Sequence, residues 1–486
     1  MSLLSPVRTQ MSPMRPRTIP AWVCALLLTS VCVGVEVPDP AGVLADMTLA
    51  NDYFMAKWPD PTVDIVTNRA RPSNIWTRAT YYEGLMALHQ IDASPTYYNY
   101  AVDWAAGHNW QPAYGGTTTT NADNQAAGQT YLELYQIDPQ PERLAPIKTN
   151  IDRMLASSRD DYWSWVDAVQ MAMPVFAKLG AILDDDAYYE KLYDIFDYTK
   201  TQHGANGLYS TTDHLWWRDG DFDPPYTTPS GEDEYWSRGN GWVFAGLARS
   251  LDVMPTDAPH RDELALTFQE MAAALVPIQR PDGFWNVSLH DPNNFGGPET
   301  SGTAFFTYGL AWGLNNGLLE GEEYLQAAVA GWNGMAADAL HPDGFLGYVQ
   351  ATGKQPSDGQ PVSYTSVPDF EDYGLGAFLL AGSEVFLLED TSVPRVPGDV
   401  DGDGFVDAID LDIIAANFRQ PGGLASGDLS GDFVVDLADF RIWKQHYAGP
   451  VGYAWPAANV PEPSAATIAC LLVAAALRRR CRSGRA

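Results

Sequence analysis

The sequence predicts an all-α protein: a ring of six helical hairpins with a small helical module behind it. Three observations predict this. Six polar-and-glycine clusters each open a stretch of helical character: residues 78–85 (RATYYEGL), 123–128 (DNQAAG), 165–171 (WVDAVQM), 236–242 (WSRGNGW), 299–305 (ETSGTAF) and 371–378 (EDYGLGAF). Their lead residues Arg78, Asp123, Asp167, Arg238, Ser301 and Asp372 fall 44 to 71 residues apart. A helix pair with its loops takes roughly 35 to 70 residues. Third, two acidic loops near the C-terminus each run into a short amphipathic stretch. Six helix pairs closed into a ring gather six polar starts around one mouth, which turns scattered Asp, Arg and Trp residues into one candidate site.

The chain begins with Arg8, Arg15 and Arg17, then an apolar run over 21–33. A basic segment before a short apolar segment is the pattern of a secretory signal, so residues 1–35 are expected to direct export. A retained N-terminal anchor is the alternative. Residues 36–392 form the expected ring. The chain has 486 residues and a formal net charge of −32, and eight of its arginines lie in the terminal segments. So acidic a surface repels nucleic acid and long polyanions. The four cysteines, Cys24, Cys32, Cys470 and Cys481, are also terminal, so the ring has no disulfide framework and no thiolate metal site. Aromatic residues make up 12% of the chain and cluster beside Gly and Asp, as in WWRDGD at 216–221. Aromatic faces beside polar edges suit sugar rings. No phosphate loop, dinucleotide fingerprint, serine elbow or zinc helix is present. The segments NGLY at 206–209, DGFW at 282–285 and DGFL at 343–346 read as equivalent turns with Gly at positive φ and no ligand role.

Residues 393–450 read as a calcium module joined through Pro394 and Pro397. Asp399, Asp401, Asp403, Asp407 and Asp410 stand at loop positions 1, 3, 5, 9 and 12, with Gly404 at position 6. Hard oxygens at that spacing suit Ca²⁺. A second copy supplies Asp428, Ser430, Asp432, Asp436 and Asp439, but Phe433 replaces the turn glycine. Helices are expected at 411–418 and 440–447. The pair resembles a dockerin-type repeat. That resemblance implies a cohesin-like partner, although a Ca²⁺-stabilised spacer is the favoured reading. Residues 451–486 place VPEPS at 460–464, an apolar run at 465–477 and Arg478-Arg479-Arg480 in order. This resembles the PEP-CTERM sorting signal. It implies a membrane-embedded tail, recognition by an exosortase-type enzyme, and a destination at the cell envelope or outside the cell.

Within the ring, W-V-D-A-V-Q-M, W-S-R-G-N-G-W and E-T-S-G-T-A-F, followed by LGAFLLAGSE at 375–384, resemble glycoside hydrolase families 88 and 105, the unsaturated uronyl hydrolases. The resemblance implies an (α/α)6 barrel. It also implies removal of a terminal 4,5-unsaturated uronic acid from lyase-generated oligosaccharides, with rhamnogalacturonan fragments the first choice. By matching motifs it implies catalytic roles for Asp167, as the acid, and Asp123, as its partner. It implies substrate contacts from Trp165, Met171, His214, Trp236, Arg238 and Trp242, and no catalytic cofactor. Chemistry gives these residue types a reason. The substrate is a vinyl ether, and protonating C4 leaves a cation stabilised by the ring oxygen. An acid with a raised pKa is needed for that step. Two other readings stay open: an ordinary glycosidase on the same barrel, and a non-catalytic glycan-binding protein.

Overall fold

The computed structural model describes residues 35–388, 397–400, 405–420, 426–430 and 434–447. The expected export signal up to residue 34, the apolar tail, and the calcium ligands Asp401, Asp403 and Asp432 lie outside the described residues. Among the described residues no helix is long and apolar enough to cross a membrane.

The helices run α1 (Pro40–Lys57), α2 (Trp76–Ile91), α3 (Pro95–Gly107), α4 (Ala122–Gln125), α5 (Gly128–Ile137), α6 (Pro141–Leu155), α7 (Asp167–Leu183), α8 (Ala187–Thr201), α9 (Ser237–Val253), α10 (Arg261–Leu275), α11 (Thr300–Asn315), α12 (Glu322–Gly334) and α13 (Asp372–Phe386). Six inner segments form a closed ring: α2, α4 with α5, α7, α9, α11 and α13, the last packing back on α2. All six polar clusters fall at the starts of these inner segments, as the spacing predicts. The outer layer is α3, α6, α8, α10, α12 and α1. One of the six pairs is not a hairpin in sequence. No helix follows α13 before residue 388, so its apolar outer face is covered by α1 from the other end of the ring. The strands are short: β1 (Ile65–Val66) pairs antiparallel with β2 (Ala70–Arg71), and β3 (Trp285–Asn286) pairs antiparallel with β4 (Pro298–Glu299).

Inner and outer helices differ as their sequences dictate. Residues 237–251 of α9, 300–313 of α11 and 372–383 of α13 are buried without a break, as befits helices with neighbours on every side. Helix α6 buries Ile147, Ile151 and Met154 on one stripe and leaves its charged face to water. Helices α1, α3 and α6 start with Pro in the first turn, where the missing N–H costs nothing, and Asp39 and Ser94 cap the first two. The three Gly turns are real. Gly207, Gly283 and Gly344 have φ of 94°, 84° and 93°, and each follows an outer helix.

The ring closes where α2 meets α13. A Cβ at Gly84 would lie 2.9 Å from the Gly376 Cα, and one at Gly376 would lie 2.8 Å from the Tyr81 Cα. The Arg78 Nε to Asp372 Oδ2 ion pair, 3.1 Å long and buried on both sides, fastens the same seam at the mouth end.

A separate apolar cluster joins Val400, Leu411, Ile414, Val435 and Trp443 between α14 (Ala408–Ala416) and α15 (Leu437–His446). Both helices start about three residues earlier than the sequence predicts. The reason is a capping box in each: Asp407 with Asp410, and Asp436 with Asp439.

Closing the ring at glycine distance makes a prediction. Gly376→Ala should destabilise the protein by about 1–3 kcal/mol, because the added methyl group meets backbone that cannot yield. Gly42→Ala, in helix α1 where the added methyl group meets nothing closer than 3.8 Å, should cost less than that. Chemical denaturation of both variants checks the difference.

Candidate active site

The site grows from the start of α7. Trp165 makes an antiparallel bridge with Asp219, and the Val166 N–H donates to the Arg218 carbonyl at 3.0 Å. The segment carrying Arg218 is itself held from α9. Asn240 accepts from the Trp216 N–H at 2.8 Å and donates to the Trp216 carbonyl at 3.0 Å. The Asn of W-S-R-G-N-G-W is therefore a backbone clamp, and what it clamps places Arg218 beside Asp167.

Arg218 forks onto Asp167, with Nε to Oδ1 and Nη2 to Oδ2 both at 3.3 Å, while its Nη1 donates to Asp219 Oδ2 at 2.5 Å. Asp123, in α4, is the second carboxyl. Burial and the Asp167 charge push its pKa up to about 7, against the pull of Arg218. The two catalytic candidates thus come together, at the starts of neighbouring inner segments. The carboxyl that is pushed up is Asp123, and Asp167, the acid of the sequence reading, carries the guanidinium of Arg218. Arg218 itself was not singled out from sequence. Its one signal in the sequence is its place in WWRDGD, beside two tryptophans.

The predicted sugar-contacting residues divide. Trp165 is half-buried at the mouth, beside Asp167. Met171, Trp236, Arg238 and Trp242 are each 2% exposed or less, so they form the wall behind the site rather than its surface. Arg238 donates to the Gln350 and Ala351 carbonyls at 2.9 Å each and to Ser301 Oγ at 3.2 Å, between the rings of Trp236 and Tyr373. Its donors hold the loop after residue 349. Trp236 donates to Gln350 Oε1 at 2.8 Å. Trp242 packs on Phe305. These inner helix starts lie too close together to leave large side chains in solvent. His214 Nδ1 lies 3.0 Å from the Tyr209 hydroxyl and 3.5 Å from Glu270 on outer helix α10.

Two half-buried tryptophans, Trp76 and Trp217, complete the aromatic surface. Trp76 meets Trp242 edge-on at 5.9 Å, and Trp217 stacks on Tyr235 at 5.7 Å. Glu299, from the E-T-S-G-T motif, is a cap. It accepts from the N–H groups of Ser301, Gly302 and Gln350 at 3.0, 2.6 and 3.1 Å. Below the pair, a buried network closes the ring's interior. Gln170, one turn after Asp167, donates to Glu83 at 2.7 Å, and Arg249 reaches Glu83 at 3.4 Å and Glu133 at 2.8 Å, with Lys178 on Glu133 at 3.0 Å. Among the described residues no group of three or more metal-ligating side chains gathers.

Comparison with known proteins gives the chain a family. The model of Glycosyl Hydrolase Family 88 matches residues 47–388. An unsaturated 3S-rhamnoglycuronyl hydrolase of Formosa agariphila is 33% identical over 335 residues, covering 65% of this chain and 85% of that one. A protein of the same name from Alteromonas sp. is 31% identical over 346 residues, covering 66% and 80%. The solved family 88 hydrolase of Bacteroides vulgatus superposes with a TM-score of 0.66 at 33% identity, covering 72% of this chain and 99% of that one. A solved heparin-specific unsaturated glucuronyl hydrolase, at 12% identity and a TM-score of 0.54, shares the fold over 72% of this chain and 99% of its own. The chain is a glycoside hydrolase and belongs to glycosyl hydrolase family 88.

Proposed function

We propose that the protein removes a terminal 4,5-unsaturated uronic acid from lyase-generated oligosaccharides by hydrating the double bond. One observation carries the reading: Asp123, a carboxyl pushed up to about 7 by burial and the Asp167 charge, stands with Asp167 at the starts of neighbouring inner segments, at an aromatic mouth. Such a pair supplies both an acid for the vinyl ether and a base for water. A proton from the pair goes to C4, and the positive charge at C5 is shared with the ring oxygen. Water adds at C5 and returns its proton to the pair. The resulting hemiketal opens, and the aglycone leaves from C1 with its own oxygen. No glycosidic displacement takes place, so the separation of the carboxyls does not set a stereochemical outcome. Rhamnose in the names of the two relatives supports a rhamnose-linked uronide as the substrate class.

The reading of the termini rests on sequence. Residues 1–35 direct export, 393–450 form the calcium-stabilised spacer and 451–486 form the sorting tail, read by an exosortase-type enzyme at the envelope. The module's donor set fits Ca²⁺. Its buried carboxylates, Asp399 and Asp410 in one copy and Asp428 and Asp439 in the other, are hard oxygens of the kind Ca²⁺ takes. Asp410 accepts from the Val400 and Asp407 N–H groups at 2.6 and 2.7 Å, and Asp439 from those of Ser430 and Asp436 at 2.8 and 2.7 Å. Each loop's last carboxylate is thereby turned back into its own loop. A cohesin-like partner remains the second reading of this module.

Three outcomes are expected. Asp167→Asn and Asp123→Asn should each fold and lose about 10²- to 10⁴-fold in the rate at which the substrate's absorbance near 235 nm disappears. Near-wild-type bleaching by either variant would remove that residue from the pair.

Stability should also depend on pH through Asp123. Its folded pKa lies above the unfolded value, so the folded state holds the extra proton between about pH 4 and 7. Stability is present below that window and falls as pH rises through it, by up to about 1.4 kcal/mol per unit. Asp123→Asn should therefore be more stable than wild type at pH 8 and equal to it at pH 4. Denaturation curves at the two pH values check the sign.

Chelation of the full-length protein should leave the bleaching rate unchanged and expose the 398–447 module to protease, since uncompensated carboxylates repel one another. A fall in rate that tracks the chelator would count against a metal-free site.

A further inference from the structure

Among the described residues Arg218 is the cation paired with Asp167, and its position has a use that holding a carboxylate does not exhaust. It spends three of its five N–H donors, two on Asp167 and one on Asp219. The two bonds to Asp167 are 3.3 Å long, whereas the bond to Asp219 is 2.5 Å. Charge-assisted bonds of this kind are ordinarily about 2.7–2.9 Å. Arg218 is thus anchored by Asp219 and only loosely engaged with Asp167. The Arg218 side chain is 19% exposed, so it is reachable from the mouth. The other charges facing it are Asp123 from α4, and Lys354 and Asp221, paired at 2.7 Å on two neighbouring loops.

The substrate's chemistry, taken from the function proposed above, fits this arrangement. The uronate carboxylate is bonded to C5, and the carbon to be protonated is C4, its neighbour. Whatever acid serves C4 must therefore stand next to whatever cation holds the carboxylate. Asp167 and Arg218 stand in that relation.

We propose that Arg218 receives the substrate's carboxylate in exchange for Asp167, and that the Asp167 carboxylate so released takes up the proton it delivers to C4. In the free protein the guanidinium compensates the Asp167 carboxylate. When the incoming carboxylate takes the fork, Asp167 loses its cation and accepts a proton from water, forming its O–H bond. Asp167 then delivers that proton to C4. Water attacks C5 and gives its proton back to Asp167. On product release Arg218 returns to Asp167 and that proton returns to solvent, so one water is consumed and no proton is left over. The acid is thereby loaded only when a carboxylate-bearing ring is in place, which makes Arg218 a specificity residue as well as a positioning one.

The test compares an unsaturated uronyl disaccharide with its methyl ester, whose carboxyl is neutral, using the full-length protein and bleaching near 235 nm. Wild type should prefer the acid by about 10²-fold in kcat/KM, the scale of losing one partner of a desolvated charge pair. Arg218→Gln should lower the rate on the acid and bring the two substrates within about threefold of each other. Arg218→Lys keeps the charge without the fork and should retain a preference of about tenfold. In Arg218→Gln the basic limb of the kcat/KM profile should also move up by about one pH unit, because removing a cation raises the pair's affinity for its proton. Far-UV circular dichroism and a melting curve establish that both variants fold. An undiminished preference for the acid in Arg218→Gln, with the pH profile unmoved, would overturn the proposal while leaving hydration intact. Failure of wild type to bleach either substrate would sink both readings.

Discussion

Two carboxyl groups facing one guanidinium set the chemistry of this protein. Asp123 and Asp167 sit where two neighbouring inner segments begin, and Arg218 lies on Asp167. One cation does not compensate two half-buried carboxylates, so the pair retains a proton that isolated carboxyls would have given up. An acid active near neutral pH is the direct consequence. Everything else at the mouth bears on keeping that imbalance in place. Asn240 clamps the Trp216 backbone, which fixes the segment carrying Arg218, and Asp219 holds the guanidinium from its far side.

The ring is the means of bringing the pair together. Inner helices packed at glycine distance leave no room for large side chains between them, so the polar starts of those helices converge at one end. Their cost is a shell of buried polar groups that need partners. The motif residues meet much of that need. Glu299 caps α11 with three backbone N–H groups, and Arg238 satisfies the carbonyls of Gln350 and Ala351. Deeper in, Glu83, Glu133, Arg249 and Lys178 compensate one another across four inner helices. The residues that make the motifs recognisable are therefore mostly those that build the site's wall, and fewer are those that face the sugar.

That division explains what was legible in the sequence. Inner helix starts were readable because each couples a polar cluster to a long apolar run, and the glycine turns because NGLY, DGFW and DGFL demand positive φ. Asp123 and Asp167 were readable as residue types at matching helix starts. Three things were not. Helix α1 covers α13 through a contact between the two ends of the ring, which no local pattern encodes, although its Asp39-Pro40 start is an ordinary helix signal. Exposure could not be read from motif membership: Trp236, Arg238 and Trp242 look like a sugar platform in sequence and are buried in the fold. Nor could the charge balance at the pair, since it depends on Arg218, which reaches Asp167 from 51 residues further along the chain.

The central claim is that water enters at C5 and not at C1. It is tested most directly by running the reaction in ¹⁸O-labelled water on an unsaturated uronyl disaccharide, trapping the released sugar at once by borohydride reduction, and locating the label by fragment mass spectrometry. Hydration of the double bond places the label on C5, leaves C1 with the former ring oxygen, and removes the absorbance near 235 nm as the label appears. Label on C1 of a sugar that still carries its double bond would contradict the account and assign the two carboxyls to ordinary glycosidic displacement.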